Sequence, residues 1–109
     1  MQVRVEVEGG SCIATIFNNG IATVMWLDDV KVDPSRWRQG VGTALMEAAE
    51  RLTEVYRVDC IELVVNTENT AAKGLYAKAG FKPTKKEHYR KILKQLEVRN
   101  NATILSDMD

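Results

Sequence analysis

The chain has little of what several protein classes depend on. Two cysteines, Cys12 and Cys60, are too few for a disulfide scaffold, and neither stands in a C-x-x-C or similar metal-ligand spacing. Both are expected as reduced, buried thiols, and no metal is expected. No apolar run approaches the ~20 residues of a membrane helix, and the opening Met1-Gln2-Val3-Arg4 alternates instead of placing a basic segment ahead of a greasy one. A cytoplasmic protein with no membrane partner is the expectation. Charge of one sign is also missing: 15 basic and 15 acidic side chains cancel, which leaves no long-range pull toward nucleic acid and makes any phosphate binding local. The single histidine, His88, has no cysteine or serine near it in sequence and reads as a surface residue. No repeat or low-complexity segment is present.

What remains is enough for one core. With 109 residues, 45% of them hydrophobic, the chain supports a single domain, expected over 1–96, with 97–109 as a loosely held tail. The first third is written in period two: Val3, Val5 and Val7 alternate with Arg4, Glu6 and Glu8, the pattern of a half-buried strand. Gly9-Gly10 turns into a second strand from Cys12 to Phe17. Asn18-Asn19-Gly20 supplies a tight hairpin, and Ile21 to Val32 returns as a third strand.

After Pro34 the period changes. Val41, Leu45, Ala48, Leu52, Val55 and Tyr56 recur at spacings of three and four and predict an amphipathic helix. Ile61 to Val65 is a β-branched apolar run, expected to lie parallel to the third strand. Asn69-Thr70 caps a second helix with Ala72, Leu75, Tyr76 and Ala79 on its inner face and Gly80 as its left-handed terminator. Phe81 to Thr84 is a returning strand. His88 to Lys94 fits a strand, or a helix through Tyr89, Ile92, Leu93 and Leu96. The order describes an α/β (α+β) fold: a mixed, mostly antiparallel sheet with helices packed on it.

The junction of the third strand and first helix carries the chemistry. In Val30-Lys31-Val32-Asp33-Pro34 and Arg36-Trp37-Arg38-Gln39-Gly40-Val41-Gly42-Thr43, two glycines flank one residue at a helix start. Backbone N–H groups there approach an anion, and the positive end of the helix dipole favours a phosphate. The plainer reading is a tight turn and nothing more. A dinucleotide fingerprint would need glycine at Leu45, and a P-loop would need a Gly-Lys-Ser/Thr ending; neither is present.

This segment resembles the pyrophosphate-binding signature of GNAT acetyltransferases, glutamine or arginine followed by x-x-G-x-G or x-x-G-x-A. Asn69-Thr70-Ala71-Ala72-Lys73-Gly74-Leu75-Tyr76-Ala77-Lys78-Ala79-Gly80-Phe81 is similar to the family's N-x-x-A-x-x-L-Y-x-x-x-G-F block at every fixed position. Two departures stand out. Trp37 occupies the place of the usual glutamine or arginine, and the chain opens on what looks like the family's second strand, as in a short form without the first strand and its helices.

The resemblance implies acetyl-CoA as cofactor and an amine-bearing acceptor, small molecule or protein, attacked directly in a ternary complex. It implies that the third and fourth strands splay, that Val30, Lys31 and Val32 bond the pantetheine arm, and that the amides from Arg38 through Gln39, Gly40, Val41 and Gly42 to Thr43 hold the pyrophosphate. By the same resemblance Trp37 stands at the signature's first position, Asn69 bonds the pantetheine and Tyr76 protonates the departing thiolate. Asp28 and Asp29, beside the expected thioester, are the first candidates to take the amine's proton, with Glu62 behind them, and ordered water in place of any carboxylate is an equal alternative that the resemblance implies. The competing expectation is a non-catalytic acyl-CoA sensor or scaffold, and a third is a phosphate-binding domain unrelated to CoA. A homodimer is compatible with the short front end. Lys82, Lys85 and Lys86 read as a solvated face, with the 3′-phosphate of CoA or an acidic acceptor as the alternative. His88 reads as a surface residue, with the lining of the acceptor site as its alternative. Trp26 reads as core, with a part beside Trp37 in shaping the cleft as its alternative, and Asn101-Ala102-Thr103 reads as an accidental glycosylation triplet.

Overall fold

In a computed structural model, the structure describes residues 1–85 and 87–93. Lys86, Leu96, the triplet at 101–103 and the expected tail lie outside the described residues. Strands β1 (Gln2–Val7), β2 (Gly10–Asn18) and β3 (Thr23–Val32) form an antiparallel meander. A 3-10 turn at Pro34–Arg36 leads to helix α1 (Val41–Val55), then β4 (Cys60–Val64), helix α2 (Thr70–Lys78), the two-residue β5 (Lys82–Pro83) and β6 (His88–Ile92). The sheet order is β1-β2-β3-β4-β6-β5, with β3 and β4 the only parallel neighbours among the described residues.

The faces of this sheet differ because side chains alternate along each strand. Val5, Cys12, Ala14, Ile16, Met25, Leu27, Ile61, Leu63 and Tyr89 share one face and form a core with Leu45, Met46 and Ala49 of α1, Tyr76 of α2, and Phe81. Each fully buried aliphatic side chain there contributes roughly 1.5–3 kcal/mol. Both helices pack on this face. Val24, Trp26 and Asp28 of β3 project to the other, beside Cys60, Glu62 and Val64 of β4 and His88, Arg90 and Ile92 of β6. Trp26 is therefore half-buried on the open face rather than core.

Some local expectations shift. Helix α1 buries Val41, Leu45, Met46, Ala49 and Thr53, whereas Val55 is 70% exposed and Tyr56 lies at the surface. The last turn runs past the core, and Arg57, at φ 53, reverses the chain into β4. Strand β3 begins at Thr23 because Asn19 Oδ1 accepts the amides of Ile21 and Ala22 and holds both in the turn. The stretch from His88 is a strand, paired antiparallel with β4, and not a helix. Cys12 and Cys60 are free and buried, and burial pushes the Cys12 thiol up to about 11. Among the described residues no helix is long and apolar enough to cross a membrane.

Candidate active site

The parallel ladder between β3 and β4 runs from Val24 opposite Cys60 to Leu27 opposite Leu63 and then stops. Among the described residues strand β3 continues to Val32 against β2 alone, so the edge of Asp28 to Val32 that faces β4 has no ladder partner among them. One extra residue sits in β3 where the register shifts between Ser11 and Ile13, and Asp29 at φ 53 lies within this bulge. A bulge increases local twist and turns a strand away from its neighbour. The parting of the two strands thus has a local cause.

The loop after β3 is fastened at several points. Asp33 N bonds Gly9 O at 2.8 Å, and the Asp33 carboxylate accepts from Ser35 N at 3.0 Å and Ser35 Oγ at 2.9 Å. These bonds, the backbone one first, hold its carboxyl below the usual range. Arg36 reaches Glu8 at 3.2 Å and Gln39 at 3.2 Å, and Gln39 in turn donates to Ser35 O. The chain then passes through Arg38 at φ 64 and Gly40 at φ 79 into α1. Gly40 has open space around a built Cβ, so its requirement is conformational. Gly42 differs: a Cβ there would meet Leu75 Cδ2 at 2.7 Å, so this glycine sets the close approach of α1 to α2.

Helix α1 starts without a side-chain cap. The amides of Val41, Gly42 and Thr43 consequently leave its first turn with no intrahelical acceptor, at the positive end of the dipole. They open on a cleft of about 810 Å³ lined by Val30, Lys31, Val32, Arg36, Trp37, Arg38, Gly40, Val41, Gly42, Thr43, Asn69, Ala71, Ala72, Leu75 and Tyr76. Of the residues expected to hold a cofactor, all but Gln39 are in this lining. Trp37 is 63% exposed, and its indole N–H donates to Val32 O at 3.2 Å, laying the ring along the unpaired strand edge. A second cavity of about 550 Å³, lined by Glu47, Glu50, Glu54 and neighbours, lies along the later turns of α1 and shares no residue with the first.

Asn69 caps α2 by accepting Ala72 N at Oδ1, 3.0 Å away, which leaves its Nδ2 group for the cleft. Tyr76, about two helical turns further on, is only 6% exposed and packs on Phe81 with ring centroids 5.8 Å apart. Burial, then the neighbouring Cys12, raises its phenol above the ordinary value, so Tyr76 keeps its proton throughout the neutral range. Asp28 and Asp29 are not in the cleft lining. Asp28 accepts Trp26 Nε1 at Oδ1, 3.0 Å, and Asp29 pairs with Lys31 at 3.3 Å, both exposed. His88, expected at the surface, has a side chain only 20% exposed and sits beside Glu62. Only the strand register reveals that pairing, since 26 residues separate the two in sequence.

The family profile described as "Acetyltransferase (GNAT) family" matches residues 5–81. No curated protein sequence matches the chain. Among solved structures, the NatC complex bound to Gag peptide and CoA matches with a TM-score of 0.73 at 20% identity, covering 79% of this chain and 62% of that one. An acetyltransferase of the GNAT family from Staphylococcus aureus Mu50 matches with a TM-score of 0.70 at 18% identity over 79% of this chain and 60% of that one. The PaiA N-acetyltransferase of Thermoplasma acidophilum in complex with coenzyme A has a TM-score of 0.66 at 20% identity, covering 77% and 53%. The chain thus spans about three-fifths of the length of the first of these.

Proposed function

The chain belongs to the acetyltransferase (GNAT) family, and from that membership we propose that it transfers the acetyl group of acetyl-CoA to a primary amine by direct attack in a ternary complex. The observation that carries this reading is the continuity of one cleft: uncapped amides at the start of α1, the unpaired edge of β3, Asn69 and Tyr76 all line it. An anionic diphosphate suits the amides of Val41, Gly42 and Thr43. The pantetheine arm has the amide groups to bond the β3 edge from Val30 to Val32 as an added strand would. Trp37, with its indole N–H committed to Val32 O, offers a ring face there in place of a polar side chain.

The thioester then falls near the point where β3 and β4 part. A backbone N–H at the bulge steadies the negative charge that grows on the thioester oxygen during attack. The leaving thiolate takes a proton from Tyr76, whose raised pKa keeps that proton available. An acceptor ammonium with pKa near ~10.4 needs about 4.6 kcal/mol to lose its proton at pH 7, so the reaction requires a proton acceptor. Asp28 lies at the mouth of the split but shares Oδ1 with Trp26, which suits it to attract the cation. Asp29 is paired with Lys31.

Calorimetry with CoA and thiol release from acetyl-CoA with a panel of amines test the reading. Saturable CoA binding with amine-dependent thiol release is expected. CoA binding with no thiol released on any amine would make the protein an acyl-CoA-binding module, and no preference for CoA over ATP would remove the CoA assignment altogether.

A further inference from the structure

On the sheet face turned away from α1 and α2, three adjacent strands present one row of side chains. Glu62 of β4 lies between Trp26 of β3 and Arg90 of β6, and His88 stands beside Val64 on the same face. Arg90 bonds Glu62 Oε1 through both Nε and a terminal nitrogen, each at 2.6 Å. The other carboxylate oxygen, Oε2, lies 3.6 Å from His88 Nε2. Although no helix covers this face among the described residues, the Glu62 side chain is only 13% exposed. The His88 ring packs on Trp26 with centroids 5.6 Å apart, and Trp26 Nε1 donates to Asp28.

His88 is the unusual member. Its Nε2 is enclosed and has no hydrogen-bond partner among the described residues. An enclosed imidazole nitrogen facing a carboxylate oxygen favours the tautomer with its proton on that nitrogen. The lone pair is then left on Nδ1, the arrangement that makes histidine a base near neutral pH. A separation of 3.6 Å is long for a hydrogen bond, and catalytic contacts commonly tighten only once substrate is bound. Among the described residues, the charged groups around His88 are Glu62 on β4, Arg90 on its own strand, Asp28 on β3 behind Trp26, Lys85, whose amide donates to His88 O, and the adjoining Glu87, which is tied to Thr67.

The place of this row matters as much as its chemistry. The β3–β4 ladder ends at Leu27 and Leu63; Asp28 and Val64 are the first residues beyond it, and His88 pairs with Val64. The row therefore borders the mouth of the split from the face opposite Tyr76.

We propose that this face is the acceptor side of the split, that His88 Nδ1 takes the proton of a cationic primary amine, and that Glu62 is the positioning residue that holds His88 Nε2–H. The inference rests on the acetyl-transfer reading. The ammonium gives one proton to the imidazole, and its nitrogen lone pair forms the C–N bond to the thioester carbon. The C–S bond breaks, the thiolate takes a proton from the Tyr76 phenol, and the proton shed by the new amide nitrogen restores that phenol. The imidazolium returns its proton to solvent, so one proton is released per turnover. With Asp28 and the Trp26 ring beside His88, the site favours an amine without a neighbouring carboxylate, since a second negative charge there is repelled and a cation over an indole is attracted.

The test compares wild type, His88→Gln and Glu62→Gln in thiol release from acetyl-CoA with spermidine, Nα-acetyl-lysinamide and glycine, with CoA affinity measured in parallel. The expected result is turnover of the first two in preference to glycine. His88→Gln should lower kcat/KM by about 10²-fold and erase the acid limb of the pH profile, with CoA affinity held within about twofold. Glu62→Gln should lower activity less and reduce the share of ring protonated on Nε2 in the ¹⁵N spectrum. Because His88 is the only histidine, ring ¹⁵N shifts of the unaltered protein read its tautomer directly: protonation on Nε2 at neutral pH supports the proposal, and protonation on Nδ1 overturns it whatever the fate of the variants. Wild-type kcat/KM in His88→Gln, or CoA binding without turnover of any of the three amines, also overturns it and leaves the CoA site standing. Loss of CoA binding by the wild type would instead remove the reading beneath it.

Discussion

The two faces of one sheet carry two kinds of information. On the helix face, Leu63 is 1% exposed and belongs to a core shared with both helices; on the opposite face its neighbour Val64 is 58% exposed. The helix face is apolar and is organised by short-range signals, namely alternation in strands, a period of three to four in helices, and glycines at turns. The open face holds charged and aromatic groups whose meaning arises only when β3, β4 and β6 are side by side. The candidate cofactor cleft is thus drawn from two short continuous segments, Val30 to Thr43 and Asn69 to Tyr76, and the acceptor side proposed above from residues 26, 62 and 88, far apart along the chain.

The largest expected effect that sharpens this contrast is Leu63→Ala against Val64→Ala. The first removes a buried side chain and should cost about 3 kcal/mol in urea unfolding, whereas the second should stay within about 0.5 kcal/mol. Equal losses would mean that the open face is covered in solution. Next is Tyr76→Phe, which keeps the ring packed on Phe81 and removes the phenol. A fall in kcat of about 10²-fold with CoA affinity unchanged is expected, and an unchanged kcat would break the proton-donor role.

Gly40→Ala places a side chain at φ 79 and should cost about 1–2 kcal/mol, read as weaker CoA binding together with a lower Tm. Asn69→Ala should lower stability by about 1 kcal/mol through loss of the α2 cap. The smallest effect concerns Cys12. Its thiol is raised from 9.0 to about 11 in the fold, so the unfolded chain ionises first. Stability should be complete below pH 9 and decline as pH rises toward 11. A Cys12→Ala variant should show a shallower decline of Tm over that interval, and an identical slope would assign the loss to other groups.

Much of the helix face was legible beforehand. The strand meander, the parallel β4 and both helix starts follow from local chemistry, and Asn69 and Gly80 stand where caps belong. What misled was the end of α1: Val55 and Tyr56 continue the apolar period, yet the core stops short of them and Thr53 takes an inward position. Its hydroxyl is satisfied by Glu50 O, so burial of a polar residue is tolerated there. The two-way reading of His88 to Lys94 could not be settled by period alone, because its partner strand lies more than twenty residues earlier. Trp26 reads as core in the sequence, although strict alternation with Met25 and Leu27 places it on the other face. The row of Trp26, Glu62, His88 and Arg90 had no local signal at all; it depends on strand order and register.

The central claim is that amides at the start of α1 grip a diphosphate while the unpaired edge of β3 accepts the pantetheine. Titrating ¹⁵N-labelled protein with CoA tests it residue by residue. The account predicts that the largest amide shifts fall at Gly40 to Thr43 and at Val30 to Val32. Shifts concentrated instead around Glu47, Glu50 and Glu54, with those two segments unmoved, would contradict it.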